Sequence, residues 1–380
     1  MSTLALVAFW GSSALLAWVY FGYPLLALAF ARLRPLRLRD DVPRASLVTV
    51  GVAVHDAEEL IEGRLRDILA QESDCRLEVI VASDGSTDAT PAIVGRISQA
   101  DPRVRLVELP RVGQSAAQAA IFDAAGGEVV VLTDAETRFA PAFLRALLAP
   151  FADERVGCTT GVLRWRYERE SDTAQHEGLY WRYEQAVRRW ESRAGWLAAA
   201  TGALLAVRRS IYRPAPAHAS LDQMLPLLAR ATGMFVVAVP DAVGTDRGTS
   251  SAAEQFASRV RIATQGIEAN LRMAARITPW RSPGTATAIW SHKILRWMTP
   301  ILVLAAAVAA IVLIALGEGA YLLPATAIGA FLLVALVGLL ARRLGRPLPL
   351  VTFPLTVMLV NAAFALGWIN VLLGRRIGRW

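Results

Sequence analysis

Acidic side chains at the ends of apolar runs are the residues of this sequence best suited to chemistry. Asp134 and Glu136 stand one residue apart directly after the run EVVVLT, and Asp84 directly follows the run LEVIVAS. Two carboxylates that leave a strand together can both face one site where the chain bends, and such oxygen ligands suit Mg²⁺ or Mn²⁺. A cation there would neutralise phosphate oxygens and the charge on a departing diphosphate. Acidic triplets also begin ordinary loops, so the second strand end at Asp84 is what favours a metal site.

The elements that must position these carboxylates are short β-branched runs alternating with helical stretches. Strands are predicted at 47–54, 77–83, 104–109 and 128–136, and helices at 58–71, 89–99 and 115–125. Buried strands that alternate with helices predict a mainly parallel sheet covered on both faces. Ligands of such sheets bind beyond the carboxyl ends of the strands. The polar residues fall at those ends: His55, Asp56, Asp84, Asp134 and Glu136.

The turn DGSTD after the second strand contains one candidate for ligand binding and two candidates for helix capping. Thr87 or Asp88 is placed to cap the following helix. Asp84 is not needed for capping, and its carboxylate could accept hydrogen bonds from a nucleobase or a ribose.

Composition indicates a chain that is partly embedded in a membrane. Of the 380 residues, 54% are hydrophobic, and the apolar excess lies in 4–31 and 294–373, whereas 40–285 is mixed and charged. The net charge of +8 could indicate nucleic acid as a partner. No nucleic-acid recognition motif is present, however, and arginines beside apolar stretches make membrane lipids the simpler partner. The two cysteines lack metal-ligand or CxxC spacing, which fits a reducing compartment.

The uncharged stretch 4–31 is long enough to cross a bilayer. Its start has no basic residue and arginines follow it, which favours an anchor over a cleaved signal peptide and places the next domain in the cytoplasm. Three further spans are predicted at 298–316, 320–341 and 350–373. Three crossings would leave the basic tail GRRIGRW outside, against the charge rule, so the last segment is either a span or a re-entrant or tilted helix.

The segment AIWSHKILRWMTP precedes these spans. Trp290, Lys293, Ile294 and Trp297 recur in it at three- and four-residue spacing. That pattern predicts an interfacial helix with its tryptophans at headgroup depth and its cations towards phosphates. The alternative is an ordinary amphipathic packing helix.

Several segments together resemble one enzyme family. VTVGVAVHDAEE is similar to the first strand and loop of family 2 glycosyltransferases, EVIVASDGSTD to their second nucleotide-binding segment, and EVVVLTDAET to their Asp-x-Asp region. RVGQSAAQAA resembles a segment usually written Gly-Lys-x-x-Ala-x-Asn. WRYEQAVRRWES, TGALLAVRRSIY, LDQMLPL and SHKILRWMTP are similar to the acceptor half of bacterial membrane-bound members. The ordered series, which covers nearly the whole chain, is far more specific than any one segment.

This resemblance implies a GT-A fold (α/β, Rossmann-like, with a mainly parallel sheet) plus one N-terminal and about three C-terminal transmembrane helices. It implies a nucleotide-diphosphate sugar donor, Mg²⁺ or Mn²⁺, and inversion at the anomeric carbon. Asp222 would be the general base that takes the proton of the acceptor hydroxyl; helix capping is its alternative role. Asp134 and Glu136 would hold the metal, and Thr201 and Gly202 would shape the acceptor site. The donor-binding residues would be Ala53, Asp56, Asp84, Arg111, Gln114, Asp134 and Arg261.

Departures from the family pattern bear on these roles. Ala53 and Asp56 replace the usual Pro and Asn, and Gln114 replaces the lysine near the diphosphate. Arg111 is a candidate to supply the missing positive charge. Of the Gln-x-x-Arg-Trp motif of polymerising members only Arg261 remains; it could bind diphosphate or lie on a solvated helix face. The missing Gln and Trp and the few spans argue against a polymer-extruding synthase.

The predicted organisation has four parts. An anchor with its basic flank (1–39) precedes a cytoplasmic catalytic domain (40–250), interfacial helices (251–297) and transmembrane helices (298–380). The predicted function is transfer of a sugar to a lipid-linked or saccharide acceptor at the inner membrane, in envelope polysaccharide synthesis. The alternatives are transfer to polyprenyl phosphate itself, a non-catalytic relative, and a transporter subunit. Transport is disfavoured because the spans contain almost no charge.

Overall fold

The computed structural model describes residues 2–40, 45–166, 172–214, 219–247, 252–344 and 348–375. An eight-stranded sheet is the centre of the globular part, in the order β3-β2-β1-β4-β7-β6-β8-β5. The strands are β1 Leu47–Val54, β2 Arg76–Asp84, β3 Val104–Leu109, β4 Val129–Thr133, β5 Arg138–Phe139, β6 Val156–Arg166, β7 Leu205–Arg208 and β8 Phe235–Arg247. The predicted strand 128–136 ends earlier than expected, so Asp134 directly follows β4.

The first four strands confirm the parallel arrangement predicted from the sequence. β1 pairs in parallel with β2 and β4, and β2 with β3. β7 runs antiparallel between β4 and β6, and β6 pairs in parallel with β8. The result is a mixed, mainly parallel sheet, and the carboxyl ends of β1, β2 and β4 meet at one edge.

Helices cover both faces of the sheet. The helices of the globular part are α3 Ile61–Leu69, α4 Thr90–Ala100, α5 Gln114–Ala124, α6 Phe143–Leu148, α7 Asp172–Arg193, α8 Leu221–Ala231 and α9 Ala252–Ala274. Val50 on β1 packs with Leu65 of α3 in one core, whereas Ala53 packs with Ile121 of α5 in the other. Glycine is required at Gly51, because a Cβ there would lie 2.4 Å from the Ile121 side chain.

The remaining helices lie towards the two ends of the chain, and most of them are apolar. They are α1 Ser2–Ala17, α2 Tyr23–Leu33, α10 Pro283–Ala288, α11 Leu295–Trp297, α12 Thr299–Ala315, α13 Leu322–Arg343 and α14 Pro349–Leu372, with a π-helical turn joining α1 to α2. Ser2–Leu33, Gly319–Arg343 and Val351–Leu372 are each long and apolar enough to cross a bilayer. α12 qualifies only together with Pro283–Trp297, to which it is joined at a 60° bend. The described residues therefore contain three candidate spans, or four with the bent pair.

The N-terminal helix runs antiparallel to α12. Trp10 donates to the Tyr321 hydroxyl beyond the end of α12, at 3.1 Å, while the Tyr20 hydroxyl lies 3.3 Å from that of Thr299 at its start. The end of α14 also lies beside the start of α12, because Trp368 donates to the Trp297 carbonyl at 3.1 Å. Three complete crossings would place Thr299 and Trp368 on opposite faces of a bilayer. The geometry therefore favours the tilted or re-entrant alternative for one of the last two helices.

The segment AIWSHKILRWMTP, which was predicted to lie at the membrane interface, packs partly against protein. Trp290 is exposed, but Trp297 is buried under α9, and the ammonium of Lys293 lies 3.3 Å from Glu184 Oε1 rather than facing outwards. The headgroup prediction is therefore wrong for Lys293 and Trp297, and the packing alternative describes them. The predicted division at residues 39, 250 and 297 stays a prediction.

Candidate active site

Asp84 lies at the end of β2 and is fully buried. Its Oδ1 accepts hydrogen bonds from the backbone N–H groups of Val112 and Gly113, at 2.6 and 2.9 Å. The guanidinium of Arg111 approaches the same carboxylate, with Nη1 3.7 Å from Oδ2. Asp84 thus holds the loop before α5 against the end of β2. This carboxylate fixes the loop that carries Arg111 and leads to Gln114, and its predicted contact with a nucleobase or ribose stays a prediction.

Asp56 is the second residue after β1 and follows His55. Its backbone has φ 48°, a left-handed conformation that non-glycine residues adopt uncommonly. Oδ1 accepts the Thr87 N–H at 2.8 Å, and the Asp56 N–H donates to the Ser86 hydroxyl at 3.1 Å. His55 Nδ1 lies 3.0 Å from the Asp84 carbonyl. The two loops after β1 and β2 are therefore tied into one rim.

The other predicted donor residues lie around this rim. Ala53 is buried on β1, directly opposite Ala82 of β2. Gln114 is the first residue of α5, after Gly113 at φ 95°. In the DGSTD turn, Asp88 Oδ1 accepts the Thr90 N–H at 3.0 Å, but the N-cap position of α4 is occupied by Ala89 rather than by Thr87 or Asp88.

A second group of carboxylates surrounds the end of β4. Asp134 is partly buried, and Glu136 is exposed. Burial, followed by the charges of Asp246, Asp222 and Glu136, raises the pKa of Asp134 to about 6. The sequence-predicted Asp134, Glu136 and Asp222 are thus close enough to interact. Asp246, at the end of β8, is a member that the sequence analysis missed, although it too is a strand-end carboxylate.

Arg64 is the buried cation nearest to this group. Its side chain is fully buried, with Nη2 2.6 Å from the Thr133 hydroxyl and Cζ 3.9 Å from the centre of the Phe139 ring. Burial lowers the pKa of Arg64 to about 10, against the favourable charge of Asp67, with which it forms an ion pair. Arg64 was also missed, although it interrupts the apolar stripe of α3 between Ile61 and Leu65.

Asp222 lies in the first turn of α8, against the turn that contains Gly202. Its Oδ1 accepts hydrogen bonds from the Ser220 hydroxyl and from the Gln223 N–H. Its Oδ2 faces Gly202, where an added Cβ would lie only 2.6 Å away. Asp222 thus combines the capping-type contacts of the alternative interpretation with a second oxygen directed at the predicted acceptor turn.

Thr201 connects that turn to two further elements. Its N–H donates to the Thr160 hydroxyl of β6 at 2.9 Å, and Arg188 of α7 approaches its hydroxyl at 3.4 Å. Arg188 also donates to Glu184 at 3.0 Å. Arg188 thus joins Glu184, one turn earlier on α7, to Thr201, and sequence reasoning missed the contact with Thr201 because the two residues lie on separate elements.

Arg261 is not brought into the carboxylate group. It is partly buried on α9 beside the exposed Ile262, and within the described ranges it forms no ion pair with any of the carboxylates above. Its predicted contact with diphosphate stays a prediction.

The residues fit a divalent cation held with the help of a substrate. Three potential ligands among His, Cys, Asp and Glu do not converge anywhere in the described part of the chain. Mg²⁺ sites of nucleotide enzymes, however, use one or two carboxylates together with substrate phosphates rather than a complete protein cage. Burial and then the charges of Asp246, Asp222 and Glu136 raise the pKa of Asp134, and the charge of Arg64 offsets them only in part. A divalent cation held by Asp134 and Glu136 would offset this negative charge, and a diphosphate bound to the cation would supply further oxygen ligands.

Known proteins agree with this architecture. Residues 49–214 match the family model described as Glycosyl transferase family 2. The succinoglycan biosynthesis protein ExoO of Rhizobium meliloti is 37% identical over 110 residues, 29% of this chain and 30% of the relative. An N-acetylglucosaminyltransferase of Mesorhizobium japonicum is 27% identical over 217 residues, 53% of this chain and 51% of the relative. The chain thus spans about a third to a half of these relatives.

Among solved structures, the mannosyltransferase PcManGT from Pyrobaculum calidifontis, in complex with GDP-Man and Mn²⁺, superimposes with a TM-score of 0.72 at 25% identity. The match covers 96% of this chain and 98% of that one. The fold is therefore that of a GT-A glycosyltransferase with apolar helices at both ends. Within it, residues 49–214 are a family 2 glycosyltransferase domain.

Proposed function

We propose that this protein transfers a sugar, with inversion, from a nucleotide-diphosphate donor to a lipid-linked or saccharide acceptor at the cytoplasmic face of the inner membrane. The observation that carries this proposal is that Asp222, whose Oδ2 faces Gly202, lies close enough to Asp134 for its charge to raise the pKa of Asp134. A donor at Asp134 and an acceptor at Gly202 would then meet at Asp222.

The donor half binds and orients the nucleotide sugar. Asp56 and Asp84 hold the rim on which the nucleoside would rest, and Arg111 supplies a cation in place of the missing lysine. Asp134 and Glu136 would hold Mg²⁺ or Mn²⁺, which when bound supplies charge that stabilises the departing diphosphate. The Mn²⁺ in the complex of PcManGT supports this role.

Asp222 acts as the general base in this proposal. Its Oδ2 takes the proton of the acceptor hydroxyl, whose oxygen forms a bond to the anomeric carbon as the bond from that carbon to the diphosphate breaks. Ser220 and Gln223 hold Oδ1, which leaves Oδ2 directed at the acceptor turn. The candidate spans would keep the site beside acceptors confined to the bilayer, which raises their effective concentration.

The test is a panel of nucleotide sugars with the detergent-purified full chain, with and without Mn²⁺, followed by Asp222→Asn. General bases contribute about 10²–10⁴-fold, so Asp222→Asn should lower transfer by that factor while donor affinity measured by calorimetry stays unchanged. Asp241→Asn, an exposed carboxylate on the same sheet, is the matched control. Unchanged turnover in Asp222→Asn would remove the base assignment.

The acceptor arm of the same assay separates two acceptor classes. Sugar-labelled polyprenyl phosphate formed without any further acceptor would favour transfer to the lipid phosphate itself. Labelling only of a lipid-linked saccharide would favour the main proposal.

A further inference from the structure

A cleft of about 550 Å³ lies between the C-terminal ends of α8 and α9, and it shares no lining residue with the carboxylate site. This volume is within the usual range for small-molecule sites. The lining residues that bear on its ligand are Arg213, Arg276, Thr278, Trp280 and Arg281.

The cleft is basic and has no acidic wall. Arg276 and Arg281 are exposed, and within the described parts of the chain neither they nor Arg213 lies within ion-pair distance of an acidic side chain. Arg213 is held in place by donating to the Ser210 and Tyr212 carbonyls, both at 2.7 Å. Three guanidinium groups around one cleft therefore have charge available for an anion.

A buried hydroxyl adds a polar contact inside this cleft. Thr278 Oγ1 is shielded from solvent and has no hydrogen-bond partner among the described residues. An unsatisfied buried polar atom costs free energy unless a ligand or water satisfies it. An oxygen-rich group in the cleft would meet this hydroxyl as well as the guanidinium groups.

The position of the cleft indicates where that anion comes from. The chain leaves the cleft into α10, where Gly284 lies directly against the Trp196 indole. Trp196 in turn packs on Phe30, with ring centroids 4.6 Å apart, three residues before the end of the N-terminal candidate span at Leu33. The cleft therefore lies beside the level at which the chain enters the apolar helices.

Trp280 points to the bilayer itself as the partner. Its side chain is 82% exposed, although Trp normally buries most of its surface in a soluble domain. Tryptophan beside arginine is the combination that membrane interfaces favour, with the indole at headgroup depth and the cation on phosphate.

We infer that this cleft binds the phosphate headgroup of an anionic bilayer lipid, with Arg276 and Arg281 on the phosphate and Trp280 inserted at the interface. The cleft would fix the height and tilt of the catalytic domain on the membrane. This role belongs to the segment 275–281 rather than to Lys293 and Trp297, which are committed to internal contacts. It does not depend on the proposed sugar transfer.

The test compares lipids in the detergent-purified full chain. Short-chain phosphatidylglycerol, phosphatidylcholine and glycerol 3-phosphate are titrated separately, and the apparent Kd is read from the change in melting temperature. We expect phosphatidylglycerol to bind and the other two not to. A cation near a membrane surface changes anionic-lipid affinity about fivefold, so the double variant Arg276→Gln/Arg281→Gln should bind about 30-fold more weakly.

The matched control is Arg342→Gln/Arg343→Gln, which removes the same charge from the basic end of α13, outside the cleft. It should retain the wild-type affinity. Equal loss in both double variants would mean that phosphatidylglycerol responds only to net charge and would overturn the site. Equal binding of glycerol 3-phosphate would overturn the lipid assignment. Trp280→Ala, which keeps every charge, should also weaken phosphatidylglycerol binding, and no change would remove the tryptophan from the site.

Discussion

Two buried carboxylates of this protein, Asp84 and Glu184, are held in opposite ways. Asp84 accepts hydrogen bonds from backbone N–H groups of the loop before α5. Glu184, on α7, faces side chains from a segment more than a hundred residues away: His292 at 3.1 Å, Lys293 at 3.3 Å and Arg296 at 2.7 Å. The first fixes a loop within the donor half, and the second joins the catalytic domain to the apolar helices.

The second arrangement concentrates charge where there is little water. Burial acts to raise the pKa of Glu184, but Lys293, His292 and Arg296 outweigh it and hold this pKa well below its usual value. Glu191 extends the cluster, because it accepts from the Tyr23 hydroxyl of α2 at 2.6 Å and contacts His292 at 2.7 Å. Backbone N–H groups of a loop therefore hold the donor site in place. Complementary buried charges instead attach the catalytic domain to the apolar helices.

The largest expected effect is on the buried ionic cluster. Glu184→Gln removes the carboxylate charge that contacts both Lys293 and Arg296, and breaking a buried pair costs about 3–5 kcal/mol. We expect a large drop in the melting temperature of the detergent-solubilised chain. Asp84→Asn retains an oxygen that accepts a hydrogen bond from an N–H group, so it should lower the free energy of unfolding by only about 1–3 kcal/mol. Equal falls in melting temperature for Glu184→Gln and Asp84→Asn would contradict the contrast between the two regions.

The second effect falls on the contact between the two halves of the site. Gly202→Ala places a Cβ against Asp222 Oδ2 and should displace the carboxylate. A misplacement of about 1 Å can lower turnover about 100-fold, so kcat should fall while donor affinity changes little. Gly95→Ala on α4, where a Cβ meets nothing within 4 Å, is the matched control. A normal kcat for Gly202→Ala would show that Asp222 does not need its present position.

The third effect tests the donor half by itself. Asp84→Asn weakens charge-assisted bonds to Val112 and Gly113, which position Arg111 and Gln114. Hydrogen bonds to charged groups contribute about 1.5–3 kcal/mol, so donor affinity should fall at least about tenfold. The measurement is calorimetric titration with the donor that the substrate panel identifies. A fall in kcat without a change in affinity would argue against Asp84 as part of the donor rim.

The smallest effect concerns the stability of the fold in acid, where the segment after the N-terminal apolar helices meets the globular part. Hydrogen bonds from Arg155, against an opposing effect of burial, lower the pKa of Asp153 from 3.8 to about 2, and Asp153 also accepts the Arg39 N–H. A depressed pKa stabilises the folded state above pH 4, and this stabilisation is lost as the pH falls towards 2. The melting temperature should therefore fall more steeply from pH 5 to pH 3 in the wild type than in Asp153→Asn. Parallel curves for the two proteins would exclude this contribution.

Local patterns in the sequence were enough to predict the sheet and most of its functional rim. β-branched runs alternating with helices specify parallel strands, and parallel strands bring their carboxyl ends to one edge. Asp56, Asp84 and Asp134 could therefore be assigned to that edge without coordinates. The periodicity at Trp290–Trp297 was equally clear, but it does not reveal whether the apolar face meets lipid or protein, and here it meets protein.

The sequence by itself determined the fold class, the strand-end carboxylates and the apolar helices, because each depends on periodicity within a few neighbouring residues. Only the tertiary structure decided that Asp246 joins Asp134, that Gly202 touches Asp222, that Glu184 meets His292, and that α14 ends beside Trp297. Those contacts join residues far apart in the chain, and whether such residues meet depends on how helices and strands pack, which no local spacing encodes.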